Sequence, residues 1–186
     1  MVPIEIFFSV LVFVFALIGL VRGFLRELGV TTVMMFLLFF LSRFEPELDK
    51  GLVRLMDAGG RFMSEPDDEL IKCGIFTFVL VGSAFVSYEG ETLAFGGQLR
   101  SGVQTIVLGL LAGALNGYLI AGSLWYYMHK FGYPFEFLGF SVDNLSALAQ
   151  KMIGFLPMTF LGSPVLFGQS LLLYLSALLL LARVIR

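Results

Sequence analysis

Few side chains in this sequence are suited to acid–base, metal-binding or nucleophilic chemistry. The 186 residues include one histidine and one cysteine. His129 could act as a general base or as an axial ligand to a haem or chlorophyll metal. It stands beside Lys130 at the end of an apolar run, where a histidine is more often a polar anchor. Cys73 is expected to be a small buried residue rather than a nucleophile.

Motifs for phosphate binding and hydrolysis are also missing from the sequence. It contains no glycine-rich phosphate loop, no HExxH pair and no GxSxG elbow. A single histidine and a single cysteine form neither a Cys/His metal cluster nor an internal disulfide. The net charge is −2, and without a basic tail nucleic acid is not an expected partner. We therefore predict a protein without catalytic residues, cofactor or metal, and not an enzyme.

Composition places the chain in the membrane class. It is 58% hydrophobic and 14% charged, whereas soluble domains carry about 25% charged residues. Its mean hydropathy is +0.92. The 21 phenylalanines and 21 glycines suit lipid contact and close helix packing. We predict a single all-α domain in a lipid bilayer.

The segment Gly19 to Glu27, GLVRGFLRE, separates the first two apolar runs. Arg22 and Arg26 lie four residues apart in it, and Glu27 follows the second. An arginine at mid-bilayer costs several kcal/mol, so the pair is expected at a membrane surface. This segment is predicted to be a membrane-surface elbow between two spanning helices.

Apolar runs predict about five spanning helices, since each needs roughly 20 residues. Two short amphipathic surface helices are predicted in addition. The first follows Pro46 and ends at the glycine pair 59–60, and the second is capped by Ser141 or Asp143 and bounded by Pro157. The predicted spans cover residues 3–21, 24–41, 70–88, 102–128 and 165–182.

Small residues repeat along one face of the fourth predicted helix, at Gly109, Gly113, Gly117 and Ala121. The first helix carries Gly19 and, at its end, Gly23. Such residues let another helix approach closely. The sequence leaves two interpretations open, packing among the chain's own helices and an interface for a partner.

Asn116 lies inside the same helix and needs a hydrogen-bond partner in hydrocarbon. Backbone or a hydroxyl such as Thr77 or Ser83 is the expected partner, and a polar lining for a permeation path is the alternative. No acidic residue lies at the centre of an apolar run, which argues against a pump or secondary carrier. We therefore favour a non-enzymatic scaffold or accessory subunit that binds other integral membrane proteins, with a channel or transport/export component as the alternative.

Two motifs resemble the colicin V production protein family of small bacterial inner-membrane proteins. The first maps onto Gly19, Arg22, Gly23, Phe24, Arg26 and Glu27, and the second onto Leu108, Gly109, Gly113, Asn116 and Gly117. The second departs from the family at Asn116, where arginine is usual, and at Thr105 and Ile106, which replace an Asp-Arg pair.

The resemblance covers residues 1–128 and implies a four-helix membrane core. Residues 129–186, with a surface helix and the fifth span, are then an extension. The resemblance implies a role in the bacterial envelope, such as colicin V production or export, and no agreed biochemical activity.

Charge near the first helix predicts the orientation. Residues 1–5 hold no lysine or arginine, whereas the elbow holds two arginines. The positive-inside rule then places the N-terminus outside and the elbow in the cytoplasm. Five crossings would put the C-terminus in the cytoplasm.

Overall fold

The computed structural model describes residues 3–58, 65–90 and 102–184, and helices dominate them. A two-stranded antiparallel hairpin and two single 3₁₀ turns, Glu136–Leu138 and Val142–Asn144, complete the described structure. The predicted all-α class is confirmed. The helices are α1 Ile4–Arg22, α2 Phe24–Ala58, α3 Glu65–Glu89, α4 Val103–Lys130, α5 Ala147–Ile153, α6 Pro157–Gly162 and α7 Leu171–Val184, and the strands are β1 Pro164–Leu166 and β2 Gln169–Ser170.

Four helices in the described part of the chain are long and apolar enough to cross a membrane. These candidate spans are Ile4–Arg22, Phe24–Leu48, Asp68–Glu89 and Val103–Lys130. The predicted fifth span is wrong, because β1 and β2 occupy its start and α7 has only 14 residues. That length gives about 21 Å, short of the roughly 30 Å hydrocarbon core. The predicted cytoplasmic position of the C-terminus depended on a fifth crossing, and it loses that support.

The first helix boundary falls inside the predicted elbow. Gly23 separates α1 from α2 and has φ = 85°, a conformation that favours glycine. α1 turns away there and packs mainly against α4, while its contact with α2 is small. α4 is the central helix, since it also packs against α2, α3 and α6.

The first predicted surface helix is not a separate element. α2 continues through Pro46 to Ala58 as one helix of 35 residues. Proline inside a helix removes one backbone hydrogen bond. Here Glu45, the preceding residue, is buried and forms an ion pair with Lys130 of α4, which fixes the helix at that point. The glycine pair 59–60, where the helix was predicted to end, lies outside the described residues.

The second predicted surface helix corresponds to α5, but its predicted caps are wrong. Ser146 is the N-cap, and its side chain accepts a hydrogen bond of 3.0 Å from the backbone N–H of Ala149. Ser141 instead immediately precedes the 3₁₀ turn Val142–Asn144, and Asp143 lies within that turn, ahead of α5. Pro157 begins α6, a position where its missing N–H costs nothing.

Candidate functional site

Glycines on α1 and α4 bring these two helices into backbone contact. A Cβ at Gly113 would meet the carbonyl oxygen of Phe15 and lie 2.8 Å from the Cα of Gly19. A Cβ at Gly109 would lie 2.7 Å from the carbonyl oxygen of Gly19. No larger residue fits at these positions without moving the helices apart.

The α1 contact continues at Gly117, where a Cβ would lie 2.9 Å from the Cα of Val12. Ala121, one turn further along, is buried and lines a cavity. Gly23 differs, because a Cβ there would have nothing within 4 Å, and the role of this glycine is the turn. The glycine face of α4 is thus an intramolecular contact, and it is not open to a partner.

Asn116 stands between Gly113 and Gly117 in the sequence, close to the middle of α4 and about 20 Å from either end of the helix. It is fully buried, and so is Glu27 of α2. The Asn116 Nδ2 donates to Glu27 Oε2 at 2.7 Å and to the Glu27 carbonyl oxygen at 3.0 Å. A carboxylate and a carboxamide therefore meet in the interior of the helix bundle.

Side chains from the other helices complete this polar cluster, which comprises Arg22, Glu27, Thr31, Tyr88 and Asn116. Thr31 Oγ1 donates to Asn116 Oδ1 at 2.7 Å, and Tyr88 OH donates to Glu27 Oε2 at 2.9 Å. Arg22 Nη1 lies 3.7 Å from Glu27 Oε1, and its guanidinium carbon lies 4.5 Å from the centre of the Tyr88 ring. The polar cluster joins α1, α2, α3 and α4.

The two carboxylate oxygens of Glu27 are unequal. Oε2 accepts hydrogen bonds from Asn116 and Tyr88, whereas Oε1 is buried without a hydrogen-bond donor and faces Arg22 only across 3.7 Å. An ionised carboxylate needs such partners when it leaves water. The arrangement places the Glu27 carboxylate beside the positive charge of Arg22.

This geometry bears on three sequence-based expectations. Asn116 bonds to a backbone carbonyl and to a hydroxyl, as predicted, but the hydroxyl is that of Thr31 and not of Thr77 or Ser83, and the Glu27 carboxylate is an additional partner. Glu27 is buried in the protein, while Arg26 of the same elbow is exposed. No acid stands at the centre of an apolar run in the sequence, yet the hydrogen bond from Asn116 holds the Glu27 carboxylate against the middle of α4.

The sequence carried a signal for Glu27 that the apolar runs concealed. Buried positions of α2 recur at helical spacing and include apolar residues in the middle and an acid at each end. An acid in register with a buried stripe predicts a buried acid. The stripe consists of Glu27, Thr31, Met34, Leu38, Leu41 and Glu45.

At the C-terminal end of α4, Lys130 forms an ion pair with Glu45 of α2. His129 is in the last turn, its ring 5.7 Å from that of Tyr133, and its buried Nδ1 has no hydrogen-bond partner. Burial raises the pKa of Tyr133, which accepts a hydrogen bond from Trp125 Nε1 at 3.0 Å. Within residues 3–58, 65–90 and 102–184, no group of three or more His, Cys, Asp or Glu side chains could hold a metal.

Fold and site together define the class of the protein, a polytopic helical membrane protein with a buried charged cluster between its spans. Comparisons with protein-family models, with curated proteins and with solved structures found no match. The resemblance to the colicin V production protein family stays a prediction that rests on the two motifs.

Proposed function

We propose that this chain is a non-enzymatic scaffold or accessory subunit of a larger membrane assembly. Its close glycine contacts and the hydrogen bonds of its polar cluster are made within one chain. What remains for other molecules is the outer surface of the spans. A partner would therefore dock on large apolar side chains and not on the glycine face of α4.

The outward stripe of α1 carries this proposal. Only 17% of the most apolar part of α1 is buried inside the chain, although its glycine Gly19 brings it into backbone contact with α4. Its exposed residues recur at helical spacing and form one continuous face that lipid or a partner helix must cover. The exposed large apolar residues of α1 are Ile6, Phe7, Val10, Phe13, Val14, Leu17, Leu20 and Val21.

The proposed location is the bacterial inner membrane, with the N-terminus outside and the elbow in the cytoplasm. The resemblance to the colicin V production protein family supports the membrane, and Arg22 and Arg26 support the orientation. Envelope functions such as colicin production or export enter only through the same resemblance.

Purification of the tagged protein from its native host in mild detergent tests the scaffold. Phe13 on α1 and Phe78 on α3 form a matched pair, because both are phenylalanines of spanning helices and are 63% and 78% exposed. A stoichiometric partner should be lost in Phe13→Ala, since an aromatic anchor contributes about 2 kcal/mol or more to binding. Phe78→Ala is the control and should keep the partner. A monodisperse monomer without a partner would exclude the scaffold.

A transport or channel component is the second candidate, and the buried Glu27 is the observation that favours it. Ionisable groups between spans often belong to proton or ion pathways. The pure protein in liposomes with an internal pH-sensitive dye gives the test. Proton flux that Glu27→Gln abolishes would favour transport, and the absence of flux in the wild type would remove this candidate.

A further inference from the structure

Two pockets meet at the N-terminal end of α1. The first is an apolar cavity of about 270 Å³ between the first turns of α1, the last turns of α4 and the connection that follows α4. The second, of about 290 Å³, has a mixed lining with more polar groups than the first, and lies against the residues just before α5; it is called the polar pocket below. Ile4 and Phe140 line both, so the two pockets are adjacent.

The apolar cavity extends inward along the span. Its α1 wall runs from Ile4 to Leu11, about 10 Å along the helix axis. Trp125 and Ala121 form part of the α4 wall, and Phe137, at the rim, is 83% exposed. The polar pocket lies at the end of α1 and the apolar cavity runs deeper beside the span, which is the order of headgroup and acyl chain in one bilayer leaflet.

The polar pocket has the charge of a cation-accepting site. Its lining includes the Asp143 carboxylate, the Asn144 amide and the hydroxyls of Ser141 and Ser146, with no lysine or arginine. Ser146 Oγ donates to Glu5 Oε1 at 2.5 Å, which brings a second acid to this end of α1. An ammonium group would be attracted there, and the hydroxyl and amide groups can donate to a phosphate.

We propose that these two pockets form one binding site for a phospholipid with an ammonium headgroup. The ammonium lies at Asp143 and one acyl chain fills the apolar cavity beside Trp125. A fatty acid would fit the apolar cavity equally well, but it carries no cation to meet Asp143. The ammonium headgroup supplies that cation, and it therefore favours the phospholipid.

Trp125 gives a direct readout, because it is the one tryptophan of the chain and is only 2% exposed. The purified full chain is titrated in detergent with phosphatidylethanolamine whose acyl chains carry bromine, a contact quencher. Saturable quenching is expected at a several-fold lower lipid fraction than with brominated phosphatidylcholine, whose methylated ammonium cannot donate hydrogen bonds. Quenching that rises in proportion to lipid, without saturation and without headgroup preference, would overturn the proposal.

Three variants and one further ligand complete the test. Asp143→Asn should abolish the preference for phosphatidylethanolamine. Because Asp143 is exposed, this variant still tests the headgroup site if the buried variant Ala121→Leu fails to fold. Ala121→Leu should fill the cavity and reduce maximal quenching, while Ala114→Leu on the same helix should leave it unchanged. Brominated fatty acid that quenches as well as the phospholipid would refute the assignment of an ammonium headgroup.

Discussion

The side-chain amide of Asn116 lies 2.7 Å from the carboxylate of Glu27, and both groups are fully buried. These residues are far apart in sequence and stand on helices α4 and α2. The bond fixes the rotation of the two helices about their axes, because each side chain must face the other. If either partner is removed, the other remains buried with one hydrogen bond fewer.

Asn116→Leu should lower the stability of the bundle by about 1–3 kcal/mol, since it leaves the buried carboxylate of Glu27 with one donor fewer. Thermal unfolding in detergent measures the change. Gln104→Leu is the control, because it removes the same carboxamide from an exposed position of the same helix. The double variant Glu27→Gln with Asn116→Leu should lose less than the sum of the single variants. Strictly additive losses would show that the two groups do not interact.

Gly113→Ala should destabilise the protein by about 1–3 kcal/mol, because the added methyl group meets the α1 backbone at Phe15 and Gly19. Gly82→Ala is the matched control. Nothing lies within 4 Å of its Cβ position, and alanine improves helix propensity there by up to about 1 kcal/mol. Equal melting temperatures for the two variants would contradict the α1–α4 contact.

Lys130→Met should cost about 1–3 kcal/mol, since it leaves the buried Glu45 without its ion partner. Lys50→Met removes the corresponding cation of the Lys50–Glu47 pair, whose side chains are 62% and 67% exposed. Such surface pairs contribute at most about 1 kcal/mol. Urea or detergent unfolding of both variants compares them directly. An equal effect would mean that the Lys130 pair is also solvated.

Orientation can be measured by cysteine labelling in intact cells, with Cys73 replaced by serine. Glu47→Cys, at an exposed site in the last turn of the second candidate span, should react with a membrane-impermeant maleimide. Val103→Cys, 76% exposed at the start of α4, lies on the side of the elbow and should react only after permeabilisation. The reverse labelling pattern would invert the proposed topology.

Composition and the lengths of the apolar runs determined the class of this protein from sequence alone. A chain this apolar and this poor in charge must bury its backbone polar groups in helices when it enters a bilayer. The same local signals located the glycine turn between the first two spans and the small-residue face of α4. Length arguments fail at α7, because part of that apolar run forms β1 and β2 and the remaining helix is too short to span.

Tertiary structure decided which residues meet. Glu27 belongs by sequence to a charged elbow, and only the packing of four helices brings Asn116, Thr31, Tyr88 and Arg22 around it. Pro46 is a reasonable helix start by local rules, yet the contact of Glu45 with Lys130 keeps α2 continuous through it. Periodicity shows which face of a helix is buried, but the identity of the group on the other side depends on long-range packing, which no local pattern encodes.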